Sequence, residues 1–172
     1  MNLDRAAAGD IEALRVLIES AYRGDSARRG WTHEADLLGG QRTDAKALHA
    51  IIAADNQVIL LAKQRQVITG CVQLSHIGGG LAYLGLLTVD PALQAAGLGK
   101  QLLIRSEDFV REQWQANAIE MTVIRQRTDL IAYYERRGYR RTGEHRPFPH
   151  DDLRFGRPKS PDLEFAVLRK PI

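Results

Sequence analysis

Apolar residues recur at helical spacing at Ile11, Leu14, Leu17, Ile18 and Ala21, with Asp10 just before them as a candidate N-cap. This pattern predicts a first helix over residues 11–22, after a short strand over residues 3–6. Residues 23–40 are polar and glycine-punctuated around Trp31, and read as a loop with one helical turn near residues 34–38. A second helix is predicted over residues 44–54. The period then shortens. Residues 58–62 and 67–74 form strands joined by a polar turn at 64–66, Gly78-Gly79-Gly80 makes the next turn, and residues 82–89 form a third apolar strand.

The second half alternates. A helix carries Leu98, Leu102, Leu103, Phe109, Val110 and Trp114 near one face, and a strand follows over residues 119–124. Thr128 or Asp129 is placed to cap a helix holding Leu130, Ile131, Tyr133 and Tyr134. Gly138 sits where a left-handed residue closes a helix. Residues 139–142 and 163–168 are the last predicted strands. There is no internal repeat and no linker composition, so residues 1–172 read as a single domain. Helices first, then a strand meander, then strand-helix-strand-helix, predicts an α/β fold: a mostly antiparallel sheet with one parallel crossover.

Composition narrows the function only slightly. The chain is 44% hydrophobic and 26% charged, which is ordinary for a globular domain. No apolar run is long enough to span a membrane. Met1-Asn2-Leu3-Asp4-Arg5 lacks the charged-then-apolar pattern of a signal peptide. Cys71 is the single cysteine, so no intrachain disulfide forms, and a cytoplasmic setting without a membrane partner is expected. A net charge of +3 with dispersed basic residues does not point to nucleic acid. His33, His49, His76, His145 and His150 show no metal-ligand spacing, so no metal is expected.

The informative segment is Leu87-Thr88-Val89-Asp90-Pro91-Ala92-Leu93-Gln94-Ala95-Ala96-Gly97-Leu98-Gly99-Lys100. It reads as a strand, a turn ended by Asp90-Pro91, and a glycine-bearing loop that opens a helix. A helix start leaves N–H groups unpaired and carries partial positive charge, and glycines there let an anion approach the backbone. The spacing excludes two nucleotide loops. One residue separates Gly97 from Gly99, where a P-loop needs four, and no third glycine completes a dinucleotide fingerprint. Gln94-x-x-Gly97-x-Gly99, with Leu87-x-Val89 before it and Leu102-Leu103 after it, resembles the acyl-CoA-binding motif of the GNAT N-acetyltransferase superfamily. Tyr133-Tyr134-Glu135-Arg136-Arg137-Gly138-Tyr139 resembles that family's second signature.

The resemblance implies a GNAT-like mixed sheet of six to seven strands flanked by about four helices, with two parallel strands splayed at the cofactor site. It implies acetyl-CoA as acyl donor, held by Leu87, Thr88, Val89, Gln94, Ala95, Ala96, Gly97, Leu98, Gly99, Lys100, Arg127 and Tyr134. Many members carry asparagine where this chain has Arg127, and often glycine where it has Ala95. A backbone N–H of Leu87 or Val89 would face the thioester carbonyl. Tyr134 matches the tyrosine that protonates the departing thiolate, or else packs against the cofactor.

The acceptor is less legible. Glu34 is the first choice of catalytic base, with His33 and Asp36 beside it; a solvated charge, with water taking the proton, is the alternative. Residues 23–34 and 144–161 are candidate acceptor segments. The second holds four of the six prolines, with Arg146, His150, Arg154, Arg157 and Lys159 against Glu144, Asp151 and Asp152. That excess would suit an amine with a carboxylate or phosphate beside it; solvation or homodimer contacts explain the segment equally well. Trp31, His33, Glu34, Arg146 and Phe148 are the candidate substrate-binding residues, although Trp31 and Phe148 would equally pin the loops to the core. The expected reaction is acetyl transfer to a primary amine of a small molecule in a ternary complex. Alternatives are acetylation of a protein N-terminus or lysine, and a non-catalytic acyl-CoA-binding module.

Overall fold

The computed structural model describes residues 3–94, 96–152 and 155–172. In chain order the elements are β1 (Asp4–Arg5), α1 (Ile11–Tyr22), α2 (Gly24–Ala27), β2 (Leu38–Gly39), α3 (Ala45–Ala53), β3 (Gln57–Gln64), β4 (Val67–Gly78) and β5 (Leu81–Val89). They continue with α4 (Leu98–Trp114), β6 (Ala118–Ile124), α5 (Thr128–Glu135), β7 (Arg140–Pro147), β8 (Arg157–Pro158) and β9 (Glu164–Pro171). Seven strands form one sheet in the order β1-β3-β4-β5-β6-β9-β7. Every pairing in it is antiparallel except β5 with β6. The mixed sheet with one parallel pair is the architecture that the strand and helix order predicts.

Both faces of the sheet are covered, and β3 shows how its sequence divides between them. Side chains alternate along a strand. Val58, Leu60 and Ala62 pack into the cluster that holds Leu98, Leu102, Leu103 and Val110 of α4, together with Ile131 and Tyr134 of α5. Ile59 and Leu61 pack against Leu14, Leu17 and Ile18 of α1 and Leu48 of α3. A strand buried on both sides reads as an unbroken apolar run, as residues 58–62 do. Cys71 lies in the second cluster, fully buried, and burial pushes its thiol up to about 12. It is a packing residue.

Four local readings need correction. Asp10 precedes α1, but its carboxylate accepts from the Ala7 N–H at 2.9 Å and gives α1 no side-chain cap. Arg127, not Thr128 or Asp129, is the residue before α5, and no side chain caps that helix. Residues 23–40 are not simply a loop: they contain α2 and β2, and β2 pairs with β8 in a separate two-stranded ribbon. That ribbon ties the segment after α1 to the segment before β9. β7 also runs further than residues 139–142. It is an edge strand with almost every side chain exposed, so no apolar alternation marks it. Its arginines and histidine discourage pairing with another chain.

The seat of α4 fixes the site. Gly70 of β4 faces it: a Cβ there would stand 3.0 Å from Leu102 Cδ1 and 3.0 Å from the Thr88 carbonyl oxygen. The backbone contact cannot be relieved by a rotamer change. We therefore expect Gly70→Ala to lose about 1–3 kcal/mol of stability, as overpacked cores do. Urea denaturation measures this, and an unchanged midpoint would contradict the close seating of α4.

Candidate active site

β5 and β6 pair at three positions only, Leu81 with Ala118, Ala82 with Ile119 and Tyr83 with Glu120. From Leu84 and Met121 onward they diverge. Divergence coincides with an irregularity on the other side of β5. Its register against β4 shifts between Cys71 and Gln73, where Thr88 and Gly85 are their partners, and Leu86 takes a left-handed φ of 47°. Such a bulge bends a strand and re-aims its backbone. Thr88 Oγ1 donates to the Leu86 carbonyl at 2.9 Å and holds the bulge. Tyr22, at the end of α1, donates its hydroxyl to the Leu87 carbonyl at 2.5 Å.

The gap between the strands opens in both directions. On one side lies a cleft lined by Leu87, Val89, Gln94, Gly97, Gly99, Lys100 and Tyr133. On the other lies a chamber lined by Glu34, Arg42, Tyr83, Thr122, Phe155 and Phe165. Tyr22, Leu87, Leu130 and Tyr134 border both. Tyr83 Oη and Thr122 Oγ1 share a hydrogen bond of 2.8 Å and bridge the diverging strands from within the chamber.

The cleft ends on the start of α4. Gly97 precedes the helix with φ of 82°, a conformation that costs any residue with a Cβ. Gly99 is needed for room: an added Cβ would meet Tyr133 Oη at 3.1 Å. The first turn contains no acidic residue, and Lys100 is exposed there. The N–H groups of the first helical residues are therefore free to meet an anion. The wall opposite is an aromatic and cationic stack. The Trp31 and Tyr133 rings lie 5.0 Å apart, and the Arg137 guanidinium sits 3.4 Å above the Tyr133 ring.

Two side chains pin residues 30–33 across the site. Gln94 Oε1 accepts from the Trp31 N–H at 2.9 Å, and its Nε2 donates to Thr32 Oγ1 at 2.7 Å. Gly30 admits this contact, because a Cβ would fall 2.5 Å from Gln94 Oε1. From the other side Arg127 donates to the carbonyls of Trp31 at 3.2 Å, Thr32 at 3.3 Å and His33 at 2.8 Å.

The structure thus brings Leu87, Val89, Gln94, Gly97, Gly99, Lys100 and Tyr134 to one cleft. Thr88 and Leu98 are buried and line neither cavity. The Ala96 N–H points back to the Leu93 carbonyl at 3.4 Å, and Ala95 lies outside the described residues. Arg127 borders the chamber rather than the cleft, and Trp31 the cleft rather than the chamber. Glu34 lines the chamber with Oε2 accepting from Arg23 Nη1 at 2.5 Å. Three candidates are placed elsewhere. His33 lines neither cavity. Arg146 pairs with the buried Glu120 at 2.8 Å and with Glu144. Phe148 is buried with Leu38, Ile124 and Leu163, pinning its loop to the core. Arg154 lies outside the described residues.

Arg42, Tyr83 and Thr122 lie outside the segments and motifs that the sequence marks; Tyr22 borders the first acceptor segment, Phe155 lies within the second and Arg137 within the second signature, none of them marked individually. Tyr22 alone left a legible trace: it extends the Leu14, Ile18 stripe by one turn. Burial raises the hydroxyl of Tyr22 to about 12 and pushes that of Tyr134 well above the ordinary tyrosine value.

A sheet with a parted parallel pair, a helix start with unpaired N–H groups on one side and an aromatic chamber on the other, has the layout of a transferase. The family model of the acetyltransferase (GNAT) family matches residues 13–139, and the chain belongs to that family. It is an acyltransferase of the N-acetyltransferase class. No curated protein matches the sequence. Among solved structures, the ribosomal-protein-S18-alanine N-acetyltransferase of Escherichia coli superposes with a TM-score of 0.70 at 16% identity, covering 99% of this chain and 93% of that one. A GNAT family acetyltransferase from Elizabethkingia anophelis with acetyl-CoA bound gives 0.63 at 18% identity, covering 74% and 82%. A spermidine N-acetyltransferase chimera from Vibrio cholerae gives 0.68 at 14% identity, covering 99% and 96%. At these identities the likeness is one of fold.

The buried phenols make a prediction about alkali. In the folded chain Tyr22 and Tyr134 keep their protons to a higher pH than in the unfolded chain, where tyrosine ionises near ~10. Their stabilisation is complete below that value and is lost as pH rises through it toward the folded values. The urea midpoint should hold steady from neutral pH to about 9 and fall above about 10, less steeply in Tyr22→Phe. A midpoint flat to about pH 11 would contradict this burial.

Proposed function

We propose that this chain transfers the acetyl group of acetyl-CoA to a primary amine of a small molecule, by direct attack in a ternary complex. The observation that carries the reading is the meeting of cleft and chamber at Leu87 and Tyr134. A thioester lying along the unpaired edge of β5 would reach this junction from one side, and an amine from the other. The α4 start and Lys100 suit the pyrophosphate of the donor, with Arg137 on the facing wall of the same cleft. The pantetheine amides suit the free edge of residues 84–89, as an added strand would.

Each chemical need finds a group. Backbone N–H at Leu87 or Val89 stabilises the oxyanion. The amine forms a bond to the acetyl carbon, the C–S bond breaks, and its electron pair goes to sulfur. Tyr134 hands its proton to that sulfur and recovers one from solvent. Burial keeps Tyr134 protonated, and it equally disfavours a bare thiolate at the same dry junction, so transfer between them is not opposed. Glu34 is held by Arg23, which leaves water in the chamber to take the proton of the amine.

A small acceptor is favoured over a protein chain because contacts beside the chamber tie the two acceptor segments to each other. Arg23 Nη2 donates to the Phe155 carbonyl at 3.3 Å, and β2 pairs with β8, drawing the two acceptor segments together. A cytoplasmic setting and one catalytic domain over residues 1–172 belong to the same reading. They accord with a single, buried thiol and a sheet that runs from β1 to β9.

Acetyl-CoA at concentrations above micromolar should raise the melting temperature. Tyr134→Phe should lower kcat about 100-fold, with acetyl-CoA affinity nearly unchanged. A thermal melt measures the first effect, a free-thiol assay over a panel of amines the loss of kcat, and calorimetry the affinity. No thermal shift would remove acetyl-CoA as donor; unchanged kcat in Tyr134→Phe would remove Tyr134 as the acid.

A further inference from the structure

The charged residues of the chamber are unequally engaged. Arg127 is consumed by three loop carbonyls and lies 3.5 Å from Asp129. Glu34 is held by Arg23, whose side chain is 5% exposed. Arg42 is different. Its backbone is fixed, because Glu19 Oε1 accepts from the N–H of Arg42 at 2.6 Å and of Thr43 at 2.9 Å. Its guanidinium rests 5.3 Å from the centre of the Tyr22 ring, 26% exposed, and forms only a loose ion pair with Glu34, Nε to Oε2 at 3.9 Å. Among the described residues that guanidinium makes no hydrogen bond. It is a preset, partly desolvated cation facing the cavity in which the acceptor must sit.

Position gives this cation a role. The Tyr22 ring lies under Arg42, and the Tyr22 hydroxyl holds the Leu87 carbonyl, so one side chain links the cation to the reaction junction. Tyr83, Leu84, Met121, Phe155 and Phe165 supply apolar wall between them. A guanidinium with free N–H groups matches a carboxylate, which takes two parallel hydrogen bonds from it. An apolar wall beside it matches a hydrocarbon or aromatic side chain.

We propose that the acceptor is an amino acid with a free carboxylate and an apolar side chain, and that Arg42 binds the carboxylate. This rests on the acetyl-transfer reading above and narrows its acceptor. The carboxylate seats on Arg42, the side chain lies against Phe155 and Phe165, and the amine points to the junction at Leu87. The amine loses a proton to water and forms the C–N bond; the C–S bond breaks and sulfur takes the proton of Tyr134. The products are an N-acetyl amino acid, a net anion because its ammonium charge is gone, and the free thiol of coenzyme A.

Initial rates of thiol release from acetyl-CoA decide this. The acceptors are L-leucine and L-phenylalanine, their carboxamides, and spermidine. We expect kcat/KM for the amino acids to exceed that for the carboxamides by about 100-fold, and spermidine to be poorer than either amino acid. In Arg42→Met the ratio of amino acid to carboxamide should collapse toward unity; Arg42→Lys should retain part of it. Circular dichroism checks that the variants fold. Equal or better rates with carboxamides or spermidine would overturn the carboxylate, and an unchanged ratio in Arg42→Met would overturn Arg42. Acetyl-CoA binding by calorimetry separates the two levels: binding without amino-acid acetylation sinks this inference alone, and no binding sinks the transfer reading with it.

Discussion

A strand that loses its neighbour halfway along must find other partners for its backbone, because unpaired N–H and C=O groups away from water cost stability. β5 is in that position. It pairs with β6 as far as Tyr83 and then parts from it, yet it lies in the middle of a seven-stranded sheet. The rest of the site answers that loss. Tyr22 takes the Leu87 carbonyl, Thr88 takes that of Leu86, and Gln94 donates to that of Val89 at 3.3 Å. What remains of the edge faces a cleft of the right chemistry for an amide-bearing ligand. The parted strands are therefore both the structural problem of the fold and the opening in which the proposed reaction is placed.

The two sides of that opening are mechanically joined. Gln94 belongs to the loop before α4, and Arg127 to the residue before α5, yet both hold residues 31–33. A neutral amide clamps from the cleft side and a charged guanidinium from the chamber side. Charge-assisted bonds to three carbonyls make Arg127 the stronger tether. Its long side chain reaches across to the neighbouring loop.

Much of the donor side was legible in the sequence because its constraints are local. Gly97 and Gly99 announce themselves through spacing, since one needs a left-handed φ and the other needs space beside Tyr133. Helix α1 has the bounds that its apolar stripe predicts, 11–22. The bulge at Leu86 was not legible: leucine is an ordinary strand residue, and only the register with β4 reveals the extra position. Arg42 was invisible for a similar reason. Nothing in its neighbourhood along the chain distinguishes a solvated arginine from one laid over Tyr22 and facing a cavity. Phe148 and Arg146 show the converse. Both have the right chemistry for a substrate site, yet long-range contacts with Leu163 and Glu120 place them outside the chamber.

The central claim is that the free edge of β5 and the first turn of α4 together form the acyl-donor site. Amide hydrogen exchange with and without coenzyme A tests it at the backbone itself. The account predicts slowed exchange in residues 84–89 and 98–100 when coenzyme A is added, with the outer strands β1 and β7 unaffected. Unchanged exchange in both segments, with coenzyme A present at saturating concentration, would contradict it.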